Sequence, residues 1–164
     1  MTKIRIAAVA ATTAVLGFTL TTDGAWAEDP DLLSFGVGYF DFIQRDDTGA
    51  EFRVEYRSGY KFWEIKPFVS LAGATSGHGF IGAGVLADIN VGENFVITPS
   101  FAPHFYFGGD SNLDLDHTIE FRSQLEVAYR FEDLTRIGVA ISHYSNAGLG
   151  HENPGTETAT VYYT

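Results

Sequence analysis

The chain has no cysteine. Disulfide staples, a thiol nucleophile and zinc–thiolate sites are therefore excluded. Basic residues are scarce: ten Lys and Arg stand against 21 Asp and Glu, a formal charge of −11. Nucleic-acid binding needs clustered cations to neutralise phosphates, so that class of partner is excluded as well. No stretch after residue 27 approaches the 18 or more apolar residues of a membrane helix. What the chain does have is aromatic and small residues, with 14 Phe, 8 Tyr and 18 Gly among its 164 positions.

The first 27 residues read as an export signal. Lys3 and Arg5 form a short positive region, Ile6 to Leu20 is apolar and uncharged, and Ala25-Trp26-Ala27 presents small residues where a signal peptidase reads. Cleavage after Ala27 is expected, leaving residues 28–164 as one domain. With Lys3, Arg5 and Asp23 removed, that domain is one charge more acidic than the whole chain.

Residues 28–164 alternate apolar and polar almost throughout, which is the two-residue period of strands with two unlike faces. Eight segments are expected, at roughly 33–43, 50–58, 62–72, 79–90, 95–107, 118–131, 135–145 and 157–164. In the second, Phe52, Val54 and Tyr56 oppose Arg53, Glu55 and Arg57. In the third, Trp63, Ile65, Pro67, Val69 and Leu71 oppose Glu64, Lys66 and Ser70. In the sixth, Phe121, Leu125, Val127 and Tyr129 oppose Glu120, Arg122, Gln124 and Glu126. A soluble sandwich or barrel would alternate too, with its apolar face inward. Long unbroken apolar faces, polar faces mixing both signs of charge, and aromatics near strand ends favour the inverse arrangement. The expected fold is all-β, an eight-stranded antiparallel transmembrane β-barrel whose interior is filled by side chains.

Short connections after the second, fourth and sixth segments, and longer ones such as Gly108 to His117 and Asn146 to Thr156, set the orientation. Short turns belong in the periplasm and long loops outside the cell. Both termini are then periplasmic, and the end of the seventh strand lies at the outer boundary of a bacterial outer membrane.

That end reads Ile141-Ser142-His143-Tyr144-Ser145-Asn146-Ala147-Gly148. His143 and Ser145 share parity with Ile137, Val139 and Ile141, so both point outward, toward lipid. A polar pair ending an apolar stripe is costly in hydrocarbon. A serine hydroxyl needs a base to become a nucleophile, and that base needs an orienting acid. Glu157, which opens the last strand with the same outward parity, is within reach across the hairpin. The residues alone leave two readings open: an ordinary interfacial pair, or a Ser145–His143–Glu157 array.

The run His143-Tyr144-Ser145-Asn146-Ala147-Gly148, followed by Asn153-Pro154-Gly155 and Glu157, resembles the signature of the PagL family of lipid A 3-O-deacylases. The resemblance implies a metal-free and cofactor-free serine esterase with His143, Ser145 and Glu157 as its triad. It further implies Asn146 and Asn153 near the oxyanion site, where backbone N–H groups of the 146–148 turn, Gly148 among them, offer further donors. The implied substrate is the 3-position acyl ester of lipid A in lipopolysaccharide, and the implied product is a 3-hydroxy fatty acid. Outer-membrane lipid is the implied surrounding, and a homodimer is left open.

Other constellations weigh less. Gly109-Asp110-Ser111 is similar to a GDS-type hydrolase motif but lies in a loop. Asp110, Asn112, Asp114 and Asp116 suggest Ca²⁺, yet Leu115 stands where an EF-hand requires Gly. His104 has inward parity, while His78, His117 and His151 are expected in loops. Two rival functions remain. One is an outer-membrane phospholipase A-like hydrolase, which shares a His-x-Ser-Asn pattern but has a larger barrel. The other is a structural or adhesion barrel without activity.

Overall fold

Alternating side chains build a closed wall. The computed structural model describes residues 29–108 and 113–164. The expected export signal and Gly109 to Asn112, with the GDS-like motif, lie outside the described residues. The strands are β1 (Leu32–Phe40), β2 (Gly49–Arg57), β3 (Lys66–Ala74), β4 (Gly79–Leu86), β5 (Ile89–Val91), β6 (Phe95–Phe107), β7 (Ile119–Arg130), β8 (Arg136–Ser145) and β9 (Thr156–Tyr163). All pairings are antiparallel. The order runs β4-β3-β2-β1-β9-β8-β7-β6, and β6 returns onto β4 to close the barrel. Closure leaves the eight long strands with no free edge, as hydrocarbon demands. The short β5 pairs only with β6.

The parity is inverted relative to a soluble protein. Phe35, Val37, Phe52, Leu71, Leu125 and Val139 are exposed on the outer wall, while Glu51, Arg53, Glu55, Arg57, Arg122 and Glu126 are buried in the lumen. An apolar surface encircling the whole barrel has one compatible solvent, the acyl chains of a bilayer. Inside, these six charges are paired, because an isolated ion out of water costs several kcal/mol or more, whereas the buried Glu120 has no partner among the described residues. Arg57 Nη2 lies 2.9 Å from Glu55 Oε2 and 2.7 Å from Glu126 Oε2, Arg122 Nη1 lies 2.7 Å from Glu55 Oε1, and Arg53 Nη2 lies 2.7 Å from Glu51 Oε1. Small inward residues make room for this filling. A Cβ on Gly36 would sit 2.9 Å from the Tyr162 ring, and one on Gly82 would sit 2.6 Å from the His104 ring.

Two expected strands are redrawn. The third begins at Lys66, not at residue 62, because Phe62 and Ile65 exchange backbone hydrogen bonds of 2.9 and 3.1 Å around a tight turn with Trp63 at φ 58°. Alternation at Trp63, Glu64 and Ile65 came from that turn. The fourth, expected to run to residue 90, breaks after Leu86. Asp88 is drawn to Lys66 Nζ at 2.9 Å, Arg136 Nη1 at 3.1 Å and Thr98 Oγ1 at 2.7 Å, and β5 starts beyond it.

One mouth of the lumen is plugged. Leu113 and Leu115, from the β6–β7 connection, pack with Phe40, Phe80, Tyr106 and Tyr144. His78 is buried there, contrary to a plain loop position. Its ring stacks on Phe40 at 4.8 Å, with Nδ1 2.8 Å from the Tyr106 hydroxyl and Nε2 2.9 Å from Asp47 Oδ2. His104 points inward as its parity requires.

Candidate active site

β8 reaches the plugged mouth with alternate residues anchored on opposite sides of the wall. Tyr144 is fully buried, and its hydroxyl accepts from Arg53 Nη2 at 2.9 Å. Asn146 is also fully buried. With these two fixed inward, the pleat turns His143 and Ser145 outward.

β9 supplies the partner. Glu157 pairs directly with His143 across the β8–β9 ladder, and His143 Nδ1 lies 2.9 Å from Glu157 Oε1. The His143 side chain is 52% exposed and that of Glu157 16%, so the acid is sheltered and the imidazole is open to the surroundings. A proton on Nδ1, donated to the carboxylate, leaves Nε2 as the basic nitrogen. Glu157 Oε2 is buried with no partner among the described residues. Ser145 lies opposite Phe121 on β7, and Ser123, opposite His143, is a second outward hydroxyl.

The β8–β9 connection turns sharply, with Ala147 at φ 53° and Gly148 at φ 80°. Asn146 organises it. Its Nδ2 donates to Leu115 O at 3.1 Å and Glu152 O at 2.7 Å, its Oδ1 accepts from Gly148 N at 2.8 Å, and its own N–H donates to Asn153 Oδ1 at 3.0 Å. The donors of Asn146 and the Gly148 N–H are thus engaged, within the loop or by Leu115 O of the β6–β7 connection. The Asn153 Nδ2 and the Ala147 N–H engage no other described group. The turn lies on the same end of β8 as Ser145.

Neighbouring loops hold this turn in ways no local pattern announced. From the β6–β7 connection, Asp116 Oδ2 accepts from the Glu152 N–H at 2.7 Å. That hydrogen bond leads the causes that hold the Asp116 carboxyl below its ordinary value of 3.8, with a bond from the His151 backbone adding to it. Asp114 Oδ1 accepts from the Asp116 N–H at 2.9 Å, so Asp114 and Asp116 of the suggested calcium pattern bind backbone, while Asp110 and Asn112 lie outside the described residues. From the β1–β2 connection, Gln44 Nε2 donates to Pro154 O at 2.8 Å and Gly155 O at 3.3 Å, and the Phe42 N–H donates to Glu157 O at 3.3 Å. The exposed His151 remains a loop residue.

Below the His143–Glu157 pair the outer wall is recessed. A groove of about 400 Å³ is lined by Leu125, Val127, Val139, Ile141, Ala159 and Val161. Its upper row is Leu125, Ile141 and Ala159, the outward positions next in register beneath Ser123, His143 and Glu157. Ala159, small among large neighbours, forms the recess.

Residues 32–164 match the family model described as Lipid A 3-O-deacylase (PagL). The chain belongs to the PagL family of lipid A 3-O-deacylases. Its alternatives, a phospholipase or an inert barrel, are not favoured by that match. Among solved structures, the crystal structure of the outer membrane enzyme PagL aligns with a TM-score of 0.64 and 19% identity, covering 82% of this chain and 97% of that one. A de novo designed transmembrane β-barrel aligns at 0.57 and 12% identity, covering 83% and 96%. A designed barrel and a PagL barrel share the architecture alone, so the two alignments speak to fold. No curated protein sequence matches.

Proposed function

We propose that this PagL-family chain resides in the bacterial outer membrane and hydrolyses the 3-position acyl ester of lipid A by acyl transfer through Ser145. The observation that carries the reading is the outward His143–Glu157 pair, 2.9 Å apart, set directly above an apolar groove in the lipid-facing wall. A substrate whose acyl chains already lie in the bilayer reaches such a site sideways and leaves its chain in the groove. The long connections and the site share one end of the barrel, which supports a site in the outer leaflet.

In this mechanism Ser145 Oγ attacks the ester carbonyl while His143 Nε2 takes its proton. Glu157 holds the imidazole tautomer and stabilises the imidazolium. His143 then protonates the departing sugar oxygen. Water, deprotonated by His143, releases the 3-hydroxy fatty acid from Ser145. The oxyanion requires donors that are unengaged before the reaction, and Asn153 Nδ2 and the Ala147 N–H fit that requirement. Asn146 and Gly148 then shape the turn that presents them. Such a donor contributes roughly 3–4 kcal/mol to the transition state. Every residue comes from one chain, so a monomer suffices for the chemistry.

Extraction of lipids from cells expressing the protein tests the reading. The wild type should remove one hydroxyacyl chain from lipid A and leave phospholipids intact, and Ser145→Ala should remove none while the barrel still assembles. Continued lipid A cleavage by Ser145→Ala would eliminate the serine mechanism, and phospholipid cleavage would move the chain to the other hydrolase class.

A further inference from the structure

An acidic chain acting on an anionic lipid needs a cation at the right place, and the ten Lys and Arg are few enough to follow one by one. Lys3 and Arg5 precede the barrel. Arg53, Arg57 and Arg122 are buried in the lumen and held by Glu51, Glu55 and Glu126. Lys61, Lys66, Arg130 and Arg136 lie at the end of the barrel opposite the site, on the β2–β3 turn, the start of β3, the end of β7 and the start of β8. Arg45 alone remains. It is exposed, on the β1–β2 connection, at the end of the barrel where His143 and Glu157 lie.

The connection that carries Arg45 is built against the site. Its backbone turns through an Arg45 N–H to Asp41 O bond of 3.1 Å, with Arg45 itself at φ 65°. Asp41 Oδ1 accepts from Thr156 Oγ1 at 3.1 Å, and Asp47 is held by His78. The preceding residue, Gln44, grips the Pro154–Gly155 carbonyls two residues ahead of Glu157. The Arg45 Nε–H donates to Phe42 O at 3.3 Å, while its two terminal nitrogens have no partner among the described residues. A guanidinium held by its Nε, with its outer fork free at the edge of a lipid-facing site, has the geometry that recognises phosphate.

We propose that Arg45 binds a phosphate of the lipid A headgroup and so selects phosphorylated substrate for the adjacent site. The inference rests on the deacylase reading above. Asp46, exposed beside it, works against the same contact.

The test uses the purified full barrel in detergent, with phosphorylated lipid A and its phosphate-free counterpart as substrates, and Ser145→Ala as the control for the chemistry. Arg45→Gln should raise KM for phosphorylated lipid A about five- to tenfold, leave kcat within about twofold, and leave the phosphate-free substrate unaffected. Arg45→Lys should restore most of the loss, Asp46→Asn should lower KM, and the difference should shrink in high salt. Arg45→Gln within twofold of wild type on both substrates, or equally impaired on both, overturns the proposal. So does a loss of folding, which would make Arg45 structural. Cleavage by Ser145→Ala would instead defeat the serine mechanism, and binding of the two lipids to that variant would still separate the phosphate contact from it.

Discussion

Gly155 allows the positioning of the base to be tested from a residue with no chemistry of its own. It sits at φ 66°, a left-handed conformation that costs an L-residue roughly 1–2 kcal/mol. A Cβ at this position would meet Tyr144 O at 3.0 Å, His143 Cε1 at 3.2 Å and His143 Nε2 at 3.8 Å. The carbonyl is strand backbone and cannot yield easily, so the methyl displaces the imidazole by a few tenths of an ångström. The ring is tethered to Glu157 through Nδ1, and the displacement therefore swings Nε2, the end that takes the serine proton in the proposed mechanism. Misplacement by about 1 Å costs on the order of 100-fold in rate, so a shift of a few tenths of an ångström in Gly155→Ala should lower kcat by roughly three- to tenfold. KM should change little, since neither Gly155 nor His143 lines the groove. Initial rates of fatty-acid release from lipid A in micelles give both constants, and the gel shift between heated and unheated samples reports the folded barrel. A folded Gly155→Ala with wild-type kcat would refute the reasoning, because the Pro154–Gly155 turn would then not confine His143.

The other expectations concern the acid, the groove and the loop. Glu157→Gln keeps the size but presents a donor toward Nδ1, and by analogy with triads elsewhere it should cut kcat by about 100-fold or more with KM unchanged; single-turnover rates check this. Ala159→Leu fills the recess below the pair and should raise KM for long acyl chains by about tenfold while sparing short ones, readable from a chain-length series of ester substrates. Asp116 has a folded-state pKa depressed by backbone donors, so its hold on the 151–152 loop is present above its ordinary value of 3.8 and is lost only as pH falls below it. Wild type and Asp116→Asn should therefore differ in kcat by a constant factor between pH 5 and pH 8, and a ratio that closes within that range would show that Asp116 titrates there.

The wall of this barrel was readable from sequence because lipid imposes one rule on every strand. Phe121, Leu125 and Val127 face out while Arg122, Gln124 and Glu126 face in, and a slip by one residue would bury the wrong set. The same rule put His143 and Glu157 on one face before any distance was known. Features depending on distant partners were not readable in this way. The break at Asp88 is set by Lys66, 22 residues away, and by Arg136. Trp63 and Glu64 continued the alternation and yet form a turn, because closure by Phe62 and Ile65 leaves the local pattern unchanged. Asn146 looked like an oxyanion donor from its place in the motif, but Leu115 and Glu152 engage its amide, and the first of these comes from another connection. Gln44 and Arg45 carry no motif. Their significance comes from the β8–β9 connection, whose Pro154 carbonyl, 110 residues away in the chain, accepts from Gln44.

In the proposed mechanism Ser145 is the group that the outward His143–Glu157 pair activates. Covalent labelling of the folded wild-type barrel with a fluorophosphonate, followed by peptide mass spectrometry, tests this most directly. A single adduct on Ser145 is expected, formed at least about tenfold more slowly in Glu157→Gln. An adduct on Ser123, or labelling of Ser145 at the same rate without Glu157, would contradict it.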